Sequence, residues 1–369
     1  MGKGLVDVGL ASRADSLVRC PITEAVSFQF ICPSAEEECG RGPGGAGTLL
    51  LGAGYGYQAV IVLSFDSVPV DSQVVVDSAW VRLTAARPLE GAPTDVTVHA
   101  LLDTLIEANV LFGDSLDYDP VPLPVIPAYD DDGLRIDLTQ VVAEWYVNES
   151  LRGLALVSHD PGPSFGFFRS GELESVLDDP SMRPTLSVHR HFEGDTTSAI
   201  SGFYPAHDTY LLWWDPSADS LSAAEDRIAI GKGLATRSLL KADVSCISME
   251  ATINRARLIL HVDTNQSFFD SLDTRAHSVK EDWSGSATEF ETLSSGGGWV
   301  GSDSAVVDVT TLVQVWTAGM VENHGFLLKT YGELDNVDFV RFFGPSYSED
   351  LRPVLIIEYS VPPLPWHRQ

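Results

Sequence analysis

Basic residues are scarce in this chain. Its 369 residues include 23 Lys and Arg against 52 Asp and Glu, which gives a formal net charge of −29. A protein that binds nucleic acid must neutralise phosphates with Lys and Arg, and a negative field of this size repels them. The composition therefore excludes nucleic acid as a partner. The charge itself has two readings: it keeps the protein soluble, or it forms a docking face for a basic partner.

Long apolar runs are also missing. No stretch approaches the roughly 18 consecutive apolar residues that a spanning helix requires, so we expect no direct membrane span. The first twenty residues lack the apolar core of a secretory signal. Export would need a signal that has been removed or another route, and the alternative is a protein that stays inside the cell.

Cysteine is limited to four residues. Cys32 and Cys39 bracket a hydrophilic loop that a disulfide can close, and we expect this bridge if the protein matures outside the cytoplasm. Free thiols are the alternative. Cys20 and Cys246 are left over, and no Cys/His cluster has the spacing of a zinc site.

Motifs of catalysis are absent as well. The nine histidines are scattered, and the sequence contains no HExxH, GxSxG or P-loop pattern. We therefore expect no enzyme, no catalytic residues and no cofactor. The sequence offers one candidate calcium site, because Asp114, Asp117 and Asp119 lie in one acidic loop and calcium prefers carboxylate oxygens from flexible loops. The alternative is that these charges are simply solvated.

What the sequence does contain is an internal repeat. Asp137, Trp145 and Gly153 in the first half correspond to Asp308, Trp316 and Gly325 in the second. The closing strings Met182–Leu186 and Leu351–Leu355 also correspond, and the spacing stays near 170 residues throughout. The repeat predicts two modules, 22–192 and 197–361, joined by a linker at 193–196. An N-terminal segment, 1–21, and a Pro-rich C-terminal arm, 362–369, flank them.

Between these landmarks the apolar residues alternate with polar ones. Runs such as AVIVLSF and INRARLILHV are rich in β-branched residues and end at Gly, Pro, Asp or Ser. This pattern predicts an all-β protein of two tandem antiparallel jelly-roll-like β-sandwich domains.

Each repeat also contains one segment with helical spacing. The apolar residues before Trp145, and likewise those before Trp316, fall at i, i+3, i+4 and i+7, which places them on one face of a short helix. Asp137 and Asp308 precede these helices as candidate N-caps. We interpret Trp145 and Trp316 as structural core residues rather than ligand platforms.

The ordered motifs resemble those of the DNRLRE-domain family. The resemblance rests on the strands AWVRL and INRARL, the D-[LV]-T-x-x-[VL]-x-x-W turn, the G-[LF]-x-L strand and the closing R-P-x-L. It implies a jelly-roll-like sandwich on a secreted or surface protein, and hence an extracytoplasmic location, periplasmic or at the cell surface. Some relatives bind carbohydrate, but a fold transfers more safely than a function.

Two functions follow as hypotheses. The first is a non-catalytic scaffold or docking subunit of a larger protein assembly, such as a membrane-embedded complex. Its contacts would come from segments that are not committed to the sheets: the loop 120–129, with Pro124 and Tyr129, and the C-terminal arm, with Trp366 and Arg368.

The second hypothesis is a pair of modules that bind neutral glycans through exposed aromatic rings. The candidate residues are Tyr57, Trp213 and Trp214, and Tyr55 and Trp299 share their character. Paired tryptophans in a strand point to opposite faces, so one ring of Trp213 and Trp214 must leave the core. Cover by a neighbouring module or a partner is the alternative for that ring.

Overall fold

The protein is described by a computed structural model over residues 15–29, 47–54, 56–107, 110, 116–148, 152–171, 179–214, 227–232, 236–269, 271–284, 288–291, 296–333 and 338–362. This part of the chain is all-β with antiparallel strands and two short helices, as the alternation predicts. The first strands are β1 Asp15–Gln29, β2 Thr48–Gly54, β3 Tyr57–Ser64, β4 Val74–Thr84, β5 Val96–Ala100, β6 Pro127–Asp130, β7 Gly133–Asp137, β8 Gly153–Ser158, β9 Ser164–Arg169 and β10 Thr185–Phe192. They are followed by β11 Ala199–Phe203, β12 His207–Trp214, β13 Arg227–Gly231, β14 Thr236–Ala242, β15 Thr252–His261, β16 Asp273–Ser278, β17 Gly296–Trp299, β18 Ser304–Asp308, β19 Phe326–Thr330, β20 Phe339–Phe343 and β21 Val354–Ser360.

The first sandwich comprises β2 to β12. One sheet has the order β11-β10-β4-β7-β6, and the other has the order β5-β8-β3-β2-β9 with β12 paired to β3. The inward-facing side chains of both sheets form one apolar core, with Val81, Ile136 and Leu186 from one sheet and Ile61 and Leu156 from the other. The alternation read from the sequence thus places the apolar set of each strand on the inner face.

The second sandwich comprises β13 to β21 together with β1. Strand β1 is long enough to serve both of its layers. Its first part, Asp15–Pro21, pairs with β21, and its second part, Ile22–Gln29, pairs with β14. β1 is therefore an interior strand of the path β17-β16-β19-β14-β1-β21-β15-β18, with a neighbour on each side.

The two repeats exchange their leading strands. The leading strands of the second repeat, β11 and β12, pair with β10 and β3 of the first sandwich. The leading strand of the first repeat, β1, pairs with β21 and β14 of the second sandwich. The registers correspond, because Phe203 lies opposite Leu186 and Cys20 lies opposite Leu355, the two leucines of the R-P-x-L strings.

This pairing corrects the predicted domain boundaries. Residues 199–214, which the repeat assigned to the second module, lie in the first sandwich, and the predicted N-terminal segment 1–21 contributes residues 15–21 to the second. The predicted linker 193–196 is the turn of the β10–β11 hairpin. Gly194 takes a positive φ of 84° there, and the Glu193 amide donates to the Gln73 carbonyl at 2.8 Å.

Each sandwich contains one helix at the predicted place, α1 Thr139–Val147 and α2 Thr310–Thr317. Trp145 and Trp316 are buried in the two cores, and the Trp316 indole N–H donates to Ser278 Oγ at 3.2 Å. The predicted caps are displaced by one residue, because the N-cap positions are Leu138 and Val309.

The carboxylates of Asp137 and Asp308 nevertheless hold the starts of the helices. Asp137 accepts from the amide and the hydroxyl of Thr139 at 3.0 and 2.6 Å, and Asp308 accepts from those of Thr310 at 2.9 and 2.7 Å. These bonds, with the hydroxyl first, lower the pKa of both carboxyl groups. Both aspartates therefore favour the ionised form, in which they accept these bonds.

The two sandwiches contact each other through aromatic rings. The Tyr57 ring lies 5.4 Å from Phe339 and 6.5 Å from Phe268, and its hydroxyl is 3.3 Å from Thr236 Oγ1. Beside it, Arg87 pairs with Asp338 at 2.9 Å across the same boundary. Because Asp338 is almost fully buried, this ion pair belongs to the packed boundary between the sandwiches and not to the solvent-exposed surface.

Candidate functional site

A histidine fixes the loop that covers the outer face of each sandwich. His99 Nδ1 donates to the Asp119 carbonyl at 2.7 Å, and its ring lies 5.1 Å from Tyr118. His277 makes the equivalent bond to Glu291 at 2.8 Å and lies 5.2 Å from Phe290. Both histidines are buried, so they serve the fold by anchoring a covering loop to the sheet.

In the first sandwich this anchor leads into the loop singled out by the sequence. The Asp119 amide donates to the Ala100 carbonyl at 2.8 Å, and the Leu123 amide donates to Val98 at 2.7 Å. The Leu102 amide in turn donates to the Asp117 carbonyl at 2.9 Å. Residues 117–123 therefore run along the edge of β5 and are held there by backbone hydrogen bonds, which fixes their direction.

The side chains of this loop divide into an inner and an outer set. Leu123, Val125 and Tyr129 pack on the core, whereas Val121 and Ile126 are 68% and 85% exposed. Pro124 is exposed between them. Leu102 and Ile106, on the adjoining segment, are also exposed. We call Leu102, Ile106, Val121, Pro124 and Ile126 the apolar edge.

Tyr129 does not belong to this outer set, although the sequence placed it there. Its ring stacks on Phe168 at 6.5 Å with an interplanar angle of 23°. Burial, followed by the charge of Asp160, raises the pKa of its hydroxyl. Tyr129 alternates inward because it lies on β6, whose residues point in turn to the core and to solvent.

The acidic residues near the loop accept hydrogen bonds from backbone amides close to them in sequence. Asp119 Oδ1 accepts from the Val121 amide at 2.9 Å, and Asp130 Oδ1 accepts from the amides of Asp132 and Gly133, also at 2.9 Å. Asp114, the third member of the predicted calcium set, lies outside the described residues. Within the described ranges, no three His, Cys, Asp or Glu side chains come together as a metal site would require.

One residue of the predicted glycan platform, Tyr57, is buried, so its assignment to that platform is wrong. Tyr57 is only 4% exposed and sits between the sandwiches, so a sugar cannot reach its ring. Trp213 is half-buried and packs on the apolar cluster of the outer face. The ring of Trp214, Tyr55, the bridge partners Cys32 and Cys39, and the arm residues Trp366 and Arg368 all lie outside what the structure describes.

A different pair of rings is exposed. Trp299 on β17 lies opposite Asp273, and Tyr331 follows β19 with its amide donating to the Asp273 carbonyl at 3.2 Å. Directly paired residues share a face of the sheet, so Trp299 and Asp273 lie on one face, and the row Trp299–Asp273–Tyr331 continues to the residue just past the end of β19. The two rings are 66% and 69% exposed. Arg275 pairs with Asp273 at 2.6 Å and lies 5.6 Å from the Tyr331 ring.

The three glycines before Trp299 explain the local shape. A side chain at Gly296 would collide with the carbonyl of Asp308 on β18, and a side chain at Gly298 would collide with that of Val306. β17 can therefore approach β18 this closely only because these two positions are glycine. A side chain at Gly297 would meet the guanidinium of Arg275. The sequence signal for this platform was the aromatic residue after the glycine run. Tyr331 was missed because nothing in the sequence pairs it with Trp299.

An open cleft of about 510 Å³ lies where the sandwiches meet. Phe165, Phe167 and Phe268 line it, and Phe165 stacks on Phe268 at 4.6 Å. The Arg87 guanidinium covers Phe167 at 4.1 Å while pairing with Asp338. The aromatic rings and the guanidinium group of the cleft therefore contact each other across the boundary and hold the two sandwiches together.

Comparison with protein-family models, with curated proteins and with solved structures finds no match to this chain. The resemblance to DNRLRE domains therefore stays an interpretation of the motifs. None of the helices in the described ranges is long and apolar enough to cross a membrane.

Proposed function

We propose that this protein is a non-catalytic docking subunit of a larger protein assembly and that it acts outside the cytoplasm. The observation that carries the proposal is the apolar edge, above all Val121 and Ile126, at 68% and 85% exposure on a segment fixed by backbone bonds. The residues of the apolar edge lie on two segments that the Leu102–Asp117 backbone hydrogen bond joins, and exposed apolar patches mark interaction sites on soluble proteins. A preformed loop binds at a lower entropic cost than a loose one.

The charge around this edge indicates the chemistry of the partner. Asp117, Asp130 and Asp131 are exposed and are close in sequence to Val121 or Ile126, and the whole chain has a net charge of −29. Complementary potentials speed association and reject wrong partners. The partner that fits is a protein with an apolar pocket bordered by Lys and Arg. The resemblance to surface modules supports the extracytoplasmic location.

The test replaces both exposed aliphatic residues in the full-length protein, Val121→Ser and Ile126→Ser. The native assembly is isolated by gentle extraction, and the partner is quantified relative to the tagged protein. We expect the double variant to keep its melting temperature, since exposed substitutions usually change stability by no more than about 0.5 kcal/mol. It should lose the partner that the wild type retains at fixed stoichiometry.

Met320→Ser is the matched control. Met320 is 74% exposed and lies in the second sandwich, remote in sequence from the apolar edge. This variant should retain the partner, which would separate a specific contact from a general loss of apolar surface. Retention of the partner by the Val121/Ile126 variant at full stoichiometry would show that the apolar edge is not the docking surface.

The row Trp299–Asp273–Tyr331 favours a second candidate function, binding of neutral glycans. Exposed aromatic rings offer apolar faces to sugar rings, and the rings here are separated by two strand spacings, about 10 Å. Asp273 and Arg275 would supply hydrogen bonds between them. Glycan-array binding that disappears in Trp299→Ala and Tyr331→Ala, but persists in the Val121/Ile126 variant, would support this function over docking.

A further inference from the structure

The fold brings together the two cysteines that the sequence leaves without a partner. Cys20 lies beside the turn that carries Cys246, because β1 pairs with β14 up to Ile22 and Ala242, and each of the two thiols lies within the electrostatic surroundings of the other. Both are reduced in this structure, with Cys20 buried and Cys246 exposed. Their positions in the chain are more than 200 residues apart, so the contact exists only because β1 pairs with the second sandwich.

Strand register explains how the contact arises. Ile22 of β1 lies opposite Ala242, at the end of β14. Because the strands are antiparallel, the chain beyond Ala242 continues towards Cys20. It then turns back, with the Ile247 amide donating to the Val244 carbonyl at 3.1 Å. Val244 and Ile247 pack in the same core as Cys20, which holds the turn, and Cys246 within it, over the strand.

We propose that Cys20 and Cys246 form a disulfide that fastens the exchanged strand β1 to the second sandwich. The oxidant is a small-molecule disulfide such as oxidised glutathione. The exposed Cys246 thiolate attacks one sulfur of the oxidant, and one glutathione thiolate leaves. The sulfur of Cys20 then loses its proton and attacks Cys246 Sγ, and the second glutathione leaves. Two protein thiols become one disulfide, and one glutathione disulfide becomes two thiols.

The protonation of Cys20 determines the order of these steps. Burial, followed by the neighbouring Cys246 and Asp243, raises the pKa of the Cys20 thiol to about 12. The thiolate is the nucleophile in disulfide exchange, so Cys20 is a poor first attacker. Exposure of Cys246 lets the oxidant reach that residue first. Its sulfur then becomes the electrophile that is presented to Cys20.

The bond would fix a strand whose covalent connection to its partners is distant. The chain runs from β1 through the whole first sandwich before it reaches the rest of the second. In the part of the chain that the structure describes, hydrogen bonds and packing hold β1 between β14 and β21. A crosslink that closes a very long loop restricts the unfolded chain strongly. It also blocks opening of β1, the step by which a swapped strand passes to a second copy.

The test uses full-length protein with Cys32→Ser and Cys39→Ser, so that only the two thiols in question remain. The matched control also carries Cys246→Ser, which changes an exposed residue. Both proteins are incubated with oxidised glutathione, unfolded, alkylated and analysed by non-reducing peptide mass spectrometry. Melting temperature is measured before and after oxidation.

We expect a peptide in which Cys20 is linked to Cys246 within one chain. Neither of these two cysteines should then be alkylated. Oxidation should raise the melting temperature by about 5 °C, with no change in the control. An oxidised protein that stops at glutathionylated Cys246, or that links Cys246 between two chains, would overturn the proposal. A linked peptide with an unchanged melting temperature would refute the claim that the bond fastens β1.

Discussion

Cys20 on the first strand lies directly opposite Leu355 on the last. Phe203 makes the corresponding pair with Leu186 in the other sandwich. Each closing strand is thus completed by the leading strand of the other repeat. The first sandwich is still encoded by one continuous stretch, β2 to β12, whereas the second needs β1 from the far end of the chain.

This topology predicts which fragments fold. A fragment of residues 47–214 contains every strand of the first sandwich and should unfold cooperatively on heating. A fragment of residues 22–192, cut at the boundaries that the repeat suggests, lacks β11 and β12. It leaves β10 and β3 with unpaired edges, which favours aggregation. Circular dichroism and thermal melts of the two fragments compare them directly.

The corresponding test for the second sandwich adds β1 back as a separate peptide of residues 15–29. Residues 227–362 alone lack the strand between β14 and β21 and should be poorly folded. Addition of the peptide should restore cooperative melting, because it supplies the missing hydrogen bonds and Ile22 of the core. If 22–192 melts as cooperatively as 47–214, the exchange of strands is wrong.

The two buried tryptophans should be structural in equal measure. Replacing Trp145 or Trp316 with Ala should cost about 3–5 kcal/mol of unfolding free energy, the range for large buried aromatic residues. Denaturant melts followed by far-ultraviolet circular dichroism would measure it. A variant with unchanged stability and weakened ligand binding would assign that tryptophan to a binding surface.

The aspartates before the helices predict a pH-dependent contribution to stability. Hydrogen bonds from Thr139 and Thr310 lower the pKa of Asp137 and Asp308 in the folded state. Their stabilising effect is therefore complete above the ordinary aspartate pKa of about 4 and is lost as the pH falls through the lower folded value. Asp137→Ala should cost about 1 kcal/mol at pH 7, as loss of a cap does.

The same substitution should cost progressively less as the pH falls from about 4 through the lower folded pKa, because the carboxyl group of the unfolded chain is protonated first and that of the folded protein after it. Urea melts at several pH values, with Asp131→Ala as a control at an exposed position, would follow the difference. A cost for Asp137→Ala that is the same at every pH would show that the charge of this carboxylate does not contribute.

The sequence carried the local features of the fold but not the exchange of strands. Alternation and helical spacing predict the strands, both helices and the burial of Trp145 and Trp316, since these depend on neighbouring residues. Pairing of β1 depends on a choice between two similar closing strands, R-P-T-L and R-P-V-L, and repeat symmetry makes them alternatives. The burial of Tyr57 follows from the contact between sandwiches, which no local pattern encodes.

The candidate site likewise contains some features that the sequence predicts and others that it does not. Proline and apolar residues between 120 and 126 predicted an exposed segment, because proline limits sheet pairing. The inward direction of Tyr129 depends on the phase of β6. The row formed by Trp299 and Tyr331 depends on β16 lying between their strands, which the sequence does not reveal.

The central claim, that this protein is a docking subunit, is tested most directly by its native size. The untagged protein is followed through gentle extraction, size-exclusion chromatography and mass spectrometry of the fractions. The account predicts that it elutes well above its own 39.9 kDa, together with other polypeptides at constant ratio, and that high salt weakens the complex. Elution of the entire native pool as a free 39.9 kDa chain would contradict it.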